Sequence, residues 1–171
     1  MKYTIGIVLL LVLLFFAWKW YQQPRIVNGE GVIPFSITLA DGQVITEKSF
    51  GGKYLLLHFW GSWCGPCRVE NPDLQKLKVK YAKTKFDNAE GLAILHLGVE
   101  RSQESWKAAI IQDGMQEDLN WSDFSYFDNE LAQKYGVREI PSLFLINPDG
   151  VIVAARQSVL ELDRFLAGKM K

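Results

Sequence analysis

Residues 54–67, Tyr54-Leu55-Leu56-Leu57-His58-Phe59-Trp60-Gly61-Ser62-Trp63-Cys64-Gly65-Pro66-Cys67, join an uninterrupted apolar run to a pair of cysteines. The run as far as Trp60 reads as a buried strand, and the residues from Pro66 onward read as the start of a helix. Gly65-Pro66 keeps the turn compact, and proline in the first helical turn loses no donor the helix needs. Cys64 is therefore expected at the helix N-cap, where unsatisfied N–H groups and the helix dipole stabilise a thiolate. Cys67, one turn later and deeper, is placed to reach the same sulfur. These are the only cysteines in the chain. The loop they close is too small to staple a fold, so they are read as reactive. A zinc half-site is the alternative, but tetrahedral zinc needs two more ligands. Only His58 and His96 are available, and both lie in apolar strand patterns.

The rest of the composition narrows the class. At 171 residues the chain holds one domain with a full core. Half its residues are apolar, which argues for a globular unit and against disorder. Formal net charge is zero with no basic block, so nucleic acid is not an expected partner. The N-terminus carries an apolar tract from Tyr3 through Tyr21, interrupted only by Lys19. At ~1.5 Å per residue it spans ~28 Å, close to the ~30 Å hydrocarbon core of a bilayer. Trp18, Trp20 and Tyr21 fit an interfacial aromatic belt. No small-residue cleavage site follows, which favours a retained signal-anchor over a cleaved signal peptide. The expected organisation is a transmembrane anchor over 1–21, a linker over 22–31 and a single domain over 32–171. The short N-terminal tail favours a catalytic domain outside the cytoplasm, held at the cell membrane by one span.

Along the domain, Pro34 to Phe50 reads as a hairpin turning at Asp41-Gly42. A helix is expected from Pro66 to about Lys83, with Val69, Leu74, Leu77 and Tyr81 at helical spacing and a kink at Pro72. Leu92 to Val99 reads as a second buried strand, and Ser102 as the cap of a helix to about Ile111. A short helix over Asp128–Tyr135 stops at Gly136. Leu143–Ile146 and Val151–Ala154 form a hairpin around Asn147-Pro148-Asp149-Gly150, and a last helix covers Val159–Ala167. The order implies an α/β fold, a mixed central sheet flanked by helices. Leu39, Phe59, Leu95 and Phe144 are expected core residues, as are Trp60 and His96.

Phe59-Trp60-x-x-Trp63-Cys64-Gly65-Pro66-Cys67 followed by Pro72 resembles the active-site segment of thioredoxin. Ile140-Pro141-Ser142 ahead of a strand resembles the cis-proline loop of that superfamily. Glu70, Asn71-Pro72, the N-terminal anchor, the extra β-hairpin before Gly51 and the segment around Trp106 are similar to its membrane-tethered ResA/TlpA-like branch. The resemblance implies a thioredoxin-like fold with an N-terminal hairpin extension, and thiol–disulfide exchange in an extracytoplasmic compartment. It implies no cofactor and no metal. Cys64 would attack a protein disulfide and Cys67 would resolve it, with Ile140 and cis-Pro141 beside a substrate strand. Electrons would come from a membrane thiol donor. Substrates of similar proteins include apocytochrome c, which would place the chain in cytochrome c biogenesis.

The supporting residues are less determined. Trp63 is expected to pack over the site. Glu70 either tunes thiol acidity and touches substrate, or is a solvated first-turn acid. His58 stands where thioredoxin has a buried aspartate; it either takes a proton from Cys67 or is a hydrogen-bonded core histidine. Gly-Pro between the cysteines is similar to thioredoxin, which favours a reductase. A thiol oxidase or disulfide isomerase is the rival within redox chemistry. A peroxide-reducing enzyme lacks its Pro-x-x-x-Thr stretch here, and a non-catalytic binding module would leave the C-x-x-C pair unexplained.

Overall fold

The computed structural model describes residues 2–21 and 26–171, with the side chains of 2–5 and 19–21 left aside. Helix α1 (Lys2–Tyr21) comes first, followed by a small hairpin of β1 (Ser36–Thr38) and β2 (Val44–Thr46). Five strands build the main sheet: β3 (Tyr54–Trp60), β4 (Leu92–Gly98), β5 (Leu119–Trp121), β6 (Ser142–Ile146) and β7 (Ile152–Ala155). Helices α2 (Gly65–Tyr81), α3 (Gln103–Gln112), α4 (Glu130–Lys134) and α5 (Val159–Ala167) complete the domain.

The sheet order is β5-β4-β3-β6-β7. β3, β4 and β5 run parallel, whereas β6 is antiparallel to both β3 and β7. This mixed sheet puts β3 at the centre, buried along its whole length. Alternation of side chains across β3 then divides the core in two. Leu55, Leu57 and Phe59 pack with Leu95, Leu97, Phe144 and Tyr135 on one face. Leu56 packs with Leu74, Leu77, Tyr81 and Leu162 on the other, under α2 and α5. A third cluster at the end of β3 joins Trp60 to Cys64, Cys67, Trp106 and Met115.

Several boundaries differ from the sequence expectation. The N-terminal hairpin is shorter, because Glu47–Phe50 wind into a 3-10 helix that carries Phe50 into the core. Gly42 makes the turn at φ +86°, a left-handed conformation suited to glycine. Val69 does not share the core face of α2; it is 78% exposed, and Cys67 and Asn71 occupy that face with Leu74, Leu77 and Tyr81. α2 runs without interruption from Gly65 to Tyr81, with Pro72 inside it. The Asp128–Tyr135 helix contracts to α4, because Tyr126–Asp128 form a 3-10 turn and the Asn129 side chain caps the helix by accepting from Ala132 N–H at 2.8 Å. Leu39 is only partly buried at the hairpin's edge. β5 was not expected at all: three residues are too few to show alternation.

Residues 22–25 of the expected linker lie outside the described residues. Its remainder runs beside β7, with Gly29 N–H donating to Ile152 O, Ile152 N–H to Glu30 O and Val32 N–H to Gly150 O. That pairing covers the sheet edge. Among the described residues no helix is long and apolar enough to cross a membrane. Trp20 and Tyr21 of the expected anchor lie among the side chains left aside.

Candidate active site

β3 ends at Trp60, and the chain turns through Gly61-Ser62-Trp63 to deliver Cys64 to the N-cap of α2. The turn is held by backbone bonds: Val99 N–H donates to Trp60 O at 2.7 Å and Cys64 N–H to Gly61 O at 3.0 Å. Gly61 is required sterically, since a Cβ there would sit 2.7 Å from Trp63 Nε1 and 3.1 Å from Val99 O. The freed space lets the Trp63 indole N–H donate to Val99 O at 2.9 Å. The Trp63 ring lies 5.2 Å from that of Tyr126 and remains 50% exposed, so it flanks the site more than it covers it.

Cys64 and Cys67 are joined as a disulfide. Cys67 N–H donates to Cys64 Sγ at 3.2 Å, which puts a helix-terminal donor on the outer sulfur. This N–H would hold a Cys64 thiolate, so the N-cap geometry supplies the stabilisation a nucleophilic sulfur needs. Cys64 is 5% exposed and Cys67 fully buried, which ranks their access to a substrate. Ile140 and Pro141 come to the same place from the loop before β6. Their peptide bond is cis, and Ile140 O lies 3.6 Å from Cys64 Sγ.

The supporting residues separate into three environments. Glu70 faces the start of α5. Burial pushes its carboxyl above the usual range, the Val159 backbone opposes that, and Asp73 adds to it. Its Oε2 is buried without a hydrogen-bond partner. It is therefore not the freely solvated acid of one sequence reading. His58 is fully buried, and its Nδ1 lies 2.9 Å from His96 Nδ1. Its ring is nearly parallel to that of Trp60, with centroids 6.2 Å apart. Burial, and then His96, holds the His58 pKa well below the usual imidazole value. Among the described residues no three His, Cys, Asp or Glu side chains are grouped so that they could hold a metal ion.

Three acids, Glu100 buried and Asp113 and Asp118 partly so, escaped the sequence reading. Glu100, two residues after β4, accepts the Ser62 N–H and so grips the turn before Cys64. Asp113, at the end of α3, takes Arg68 Nη2–H at 2.7 Å and Asn71 Nδ2–H at 2.6 Å, tying α3 to the first turns of α2. Asp118, before β5, receives Lys78 and Gln75 from α2 and faces His96 Nε2 at 3.2 Å. Their only signal is position, an acid at a strand or helix end, and exposed loops carry many of those.

The thioredoxin-like family model matches residues 51–152. ResA, a thiol-disulfide oxidoreductase of Bacillus thuringiensis, is 28% identical over 148 residues, covering 85% of this chain and 80% of that protein. The thioredoxin-like protein YneN of Bacillus subtilis is 26% identical over 160 residues, 88% of this chain and 86% of its own. Among solved structures, a C-terminal domain described as that of a thiol-disulfide oxidoreductase from Bacteroides thetaiotaomicron superposes with a TM-score of 0.73. It is 28% identical and covers 84% of this chain and 95% of that one. The C-x-x-C disulfide at a helix N-cap, the cis-proline loop against it and these likenesses converge: the chain belongs to the thioredoxin-like family, as a thiol–disulfide oxidoreductase of the ResA/TlpA-like kind.

Proposed function

We propose that the chain reduces protein disulfides outside the cytoplasm, tethered to the cell membrane by its N-terminal helix. The observation that carries the direction of attack is the contrast between Cys64, at the rim with a helix N–H on its sulfur, and the fully buried Cys67. In the reduced enzyme the Cys64 thiolate attacks a substrate disulfide, forming a mixed disulfide and releasing the first substrate sulfur as thiolate. Cys67 then attacks Cys64, closing the internal disulfide and releasing the second. A membrane thiol donor returns two electrons to the pair. Ile140 and Pro141 offer their backbone to the substrate strand. Apocytochrome c is the specific substrate offered by the likeness to ResA-type proteins.

The tether rests on α1, whose apolar side chains from Ile7 to Phe16 are all exposed. A helix apolar on every side is suited to lipid or a protein interior, and the described side chains of this one are left exposed. An impermeant maleimide added to intact cells would label reduced Cys64 if the domain faces outward, and would not if it faces the cytoplasm.

The reaction direction is tested by the equilibrium potential of Cys64–Cys67 in the full chain. A reductase is expected near the ~−270 mV of thioredoxin; a value near the ~−120 mV of a strong oxidant overturns the assignment in favour of thiol oxidation. Isomerase activity would appear as reshuffling of scrambled disulfides without net reduction. A binding module would retain its function in Cys64→Ser.

A further inference from the structure

β7 ends at Ala155, and the next residue, Arg156, takes φ +57°. Left-handed backbone is strained for a residue with a Cβ, and glycine would fill the position at no steric cost. Phe124 and Tyr126 are the other non-glycine residues with positive φ among those described, and their rings pack on Trp106 and Trp63. Arg156 differs in carrying a cation on a long side chain. Strain of this kind persists where the surroundings over-determine it, and the outlier points to a task for the residue.

The contacts of Arg156 converge on the segment between α4 and β6. Its backbone N–H donates to Leu143 O at 2.6 Å, near the start of β6. Its Nη2–H donates to Gly136 O at 2.6 Å, and the guanidinium carbon lies 5.9 Å from the centroid of the buried Phe144 ring. Phe144 packs in turn on Tyr135, with centroids 5.1 Å apart, so the side chain crosses an aromatic floor from β7 to the end of α4. Gly136 opens the segment 136–141, which ends in Ile140 and Pro141 beside Cys64. Arg156 holds the entry of that segment, and Ser142 holds it near the exit, where its Oγ–H donates to Glu139 O at 2.8 Å.

We propose that Arg156 is a positioning residue that braces the 136–141 segment against β7 so that it can receive an extended polypeptide, and that it thereby favours protein disulfides over small ones. This rests on the pairing of substrate with Ile140 and Pro141 proposed above. A strand that pairs with that backbone pulls on the segment, and the Gly136 carbonyl is the point at which a side chain from β7 resists the pull. A bond from a guanidinium to a carbonyl is charge-assisted and stronger than a neutral one. The left-handed backbone ends β7 at the place where the side chain crosses Phe144 to Gly136, so the strain and the brace occur at one residue. The sulfur chemistry stays with Cys64 and Cys67, and Arg156 acts through the segment. A disulfide without a peptide backbone reaches Cys64 without pairing, so the brace matters less to it.

The test uses the full chain in detergent. Capture by the reduced chain is timed in single turnover with insulin, a protein disulfide, and with dithiobis(nitrobenzoate), which has no peptide backbone. Arg156→Gly accepts the left-handed backbone and removes the guanidinium. It is expected to lower the ratio of the insulin rate to the dithiobis(nitrobenzoate) rate about tenfold, part of the ~hundredfold that an ångström of misplacement can cost. Hydrogen exchange gives a second reading. The Gly136 and Val137 amides, bonded to Gln133 O and Ala132 O, are expected to exchange about fivefold faster in the variant. An unchanged ratio overturns the preference for protein disulfides, and unchanged exchange overturns the brace and the proposal with it. An unmodified chain that consumes dithiobis(nitrobenzoate) but not insulin refutes the protein-disulfide activity itself, and exchange at Gly136 and Val137 then decides the brace alone.

Discussion

The two buried histidines make the domain sensitive to mild acid. Burial lowers the His96 pKa from 6.5 to about 3, helped by Lys78, and lowers His58 in the same direction. In the unfolded chain both titrate near the ordinary value. Because the folded values are depressed, the unfolded state binds more protons in acid. Stability is therefore fully present above about pH 6.5 and drains as pH falls toward the folded values. Each histidine that stays neutral in the fold costs about 2 kcal/mol on going from about pH 7 to about pH 5, so the pair costs about 4 kcal/mol. Total stability of a domain this size is about 5–15 kcal/mol, so the loss is a large share of it. Near pH 5.5 the slope is about 2.5 kcal/mol per pH unit, corresponding to about two protons taken up on unfolding.

Urea unfolding of the oxidised chain at a series of pH values measures this slope directly. The window above pH 5 isolates the histidines, because Asp123 and Asp163, whose pKa values are lowered, act only in stronger acid. Glu70 works the other way: its raised pKa lets the folded state take a proton early, which offsets part of the loss near the bottom of the window. His58→Gln should halve the slope. A stability that stays flat from pH 7 to pH 5 would refute the claim that both imidazoles are neutral in the fold.

Three further outcomes follow from the turn before α2 and from the cysteine pair. Gly61→Ala puts a methyl group against the Trp63 indole and Val99 O; loss of the Trp63–Val99 bond should appear as a change in Trp63 fluorescence and a drop in unfolding midpoint of about 1–3 kcal/mol equivalent. Glu100→Ala leaves the part-buried Ser62 N–H unpaired, costing about 1–3 kcal/mol, whereas Glu100→Gln keeps an acceptor and should recover most of that in the same denaturation assay. Cys67→Ser should trap mixed disulfides visible on non-reducing gels, and Cys64→Ser should not.

The fold was readable because its centre is written in local pattern. Tyr54–Trp60 has no polar residue except His58, and the only place for such a strand is the middle of a sheet. Ser102 and the Cys64-Gly65-Pro66 step carry helix starts in their own chemistry. The elements misjudged are those whose form depends on tertiary contacts. Glu47–Phe50 winds up to bury Phe50, and β5 exists because Leu119–Trp121 find the edge of β4. Val69 shows the limit of periodicity: its spacing suits the core face, but the position is taken by Cys67 and Asn71.

The site divides the same way. Cys64, Cys67, Ile140 and Pro141 are recognisable as a pattern, and their spacing determines most of their geometry. Glu100, Asp113 and Asp118 are not, since each gains its meaning from a partner about 40 residues distant in sequence: Ser62, Arg68 and Lys78 respectively. All three receive donors from the segment between Ser62 and Lys78, the turn before α2 and α2 itself. Two of those acids, Asp113 and Asp118, bind α2 beyond the cysteines, and Glu100 binds the turn before them, so the helix that presents the disulfide is fixed at both ends. A lone acid on the page therefore says little, whereas three acids converging on one helix say that its position relative to β3 matters.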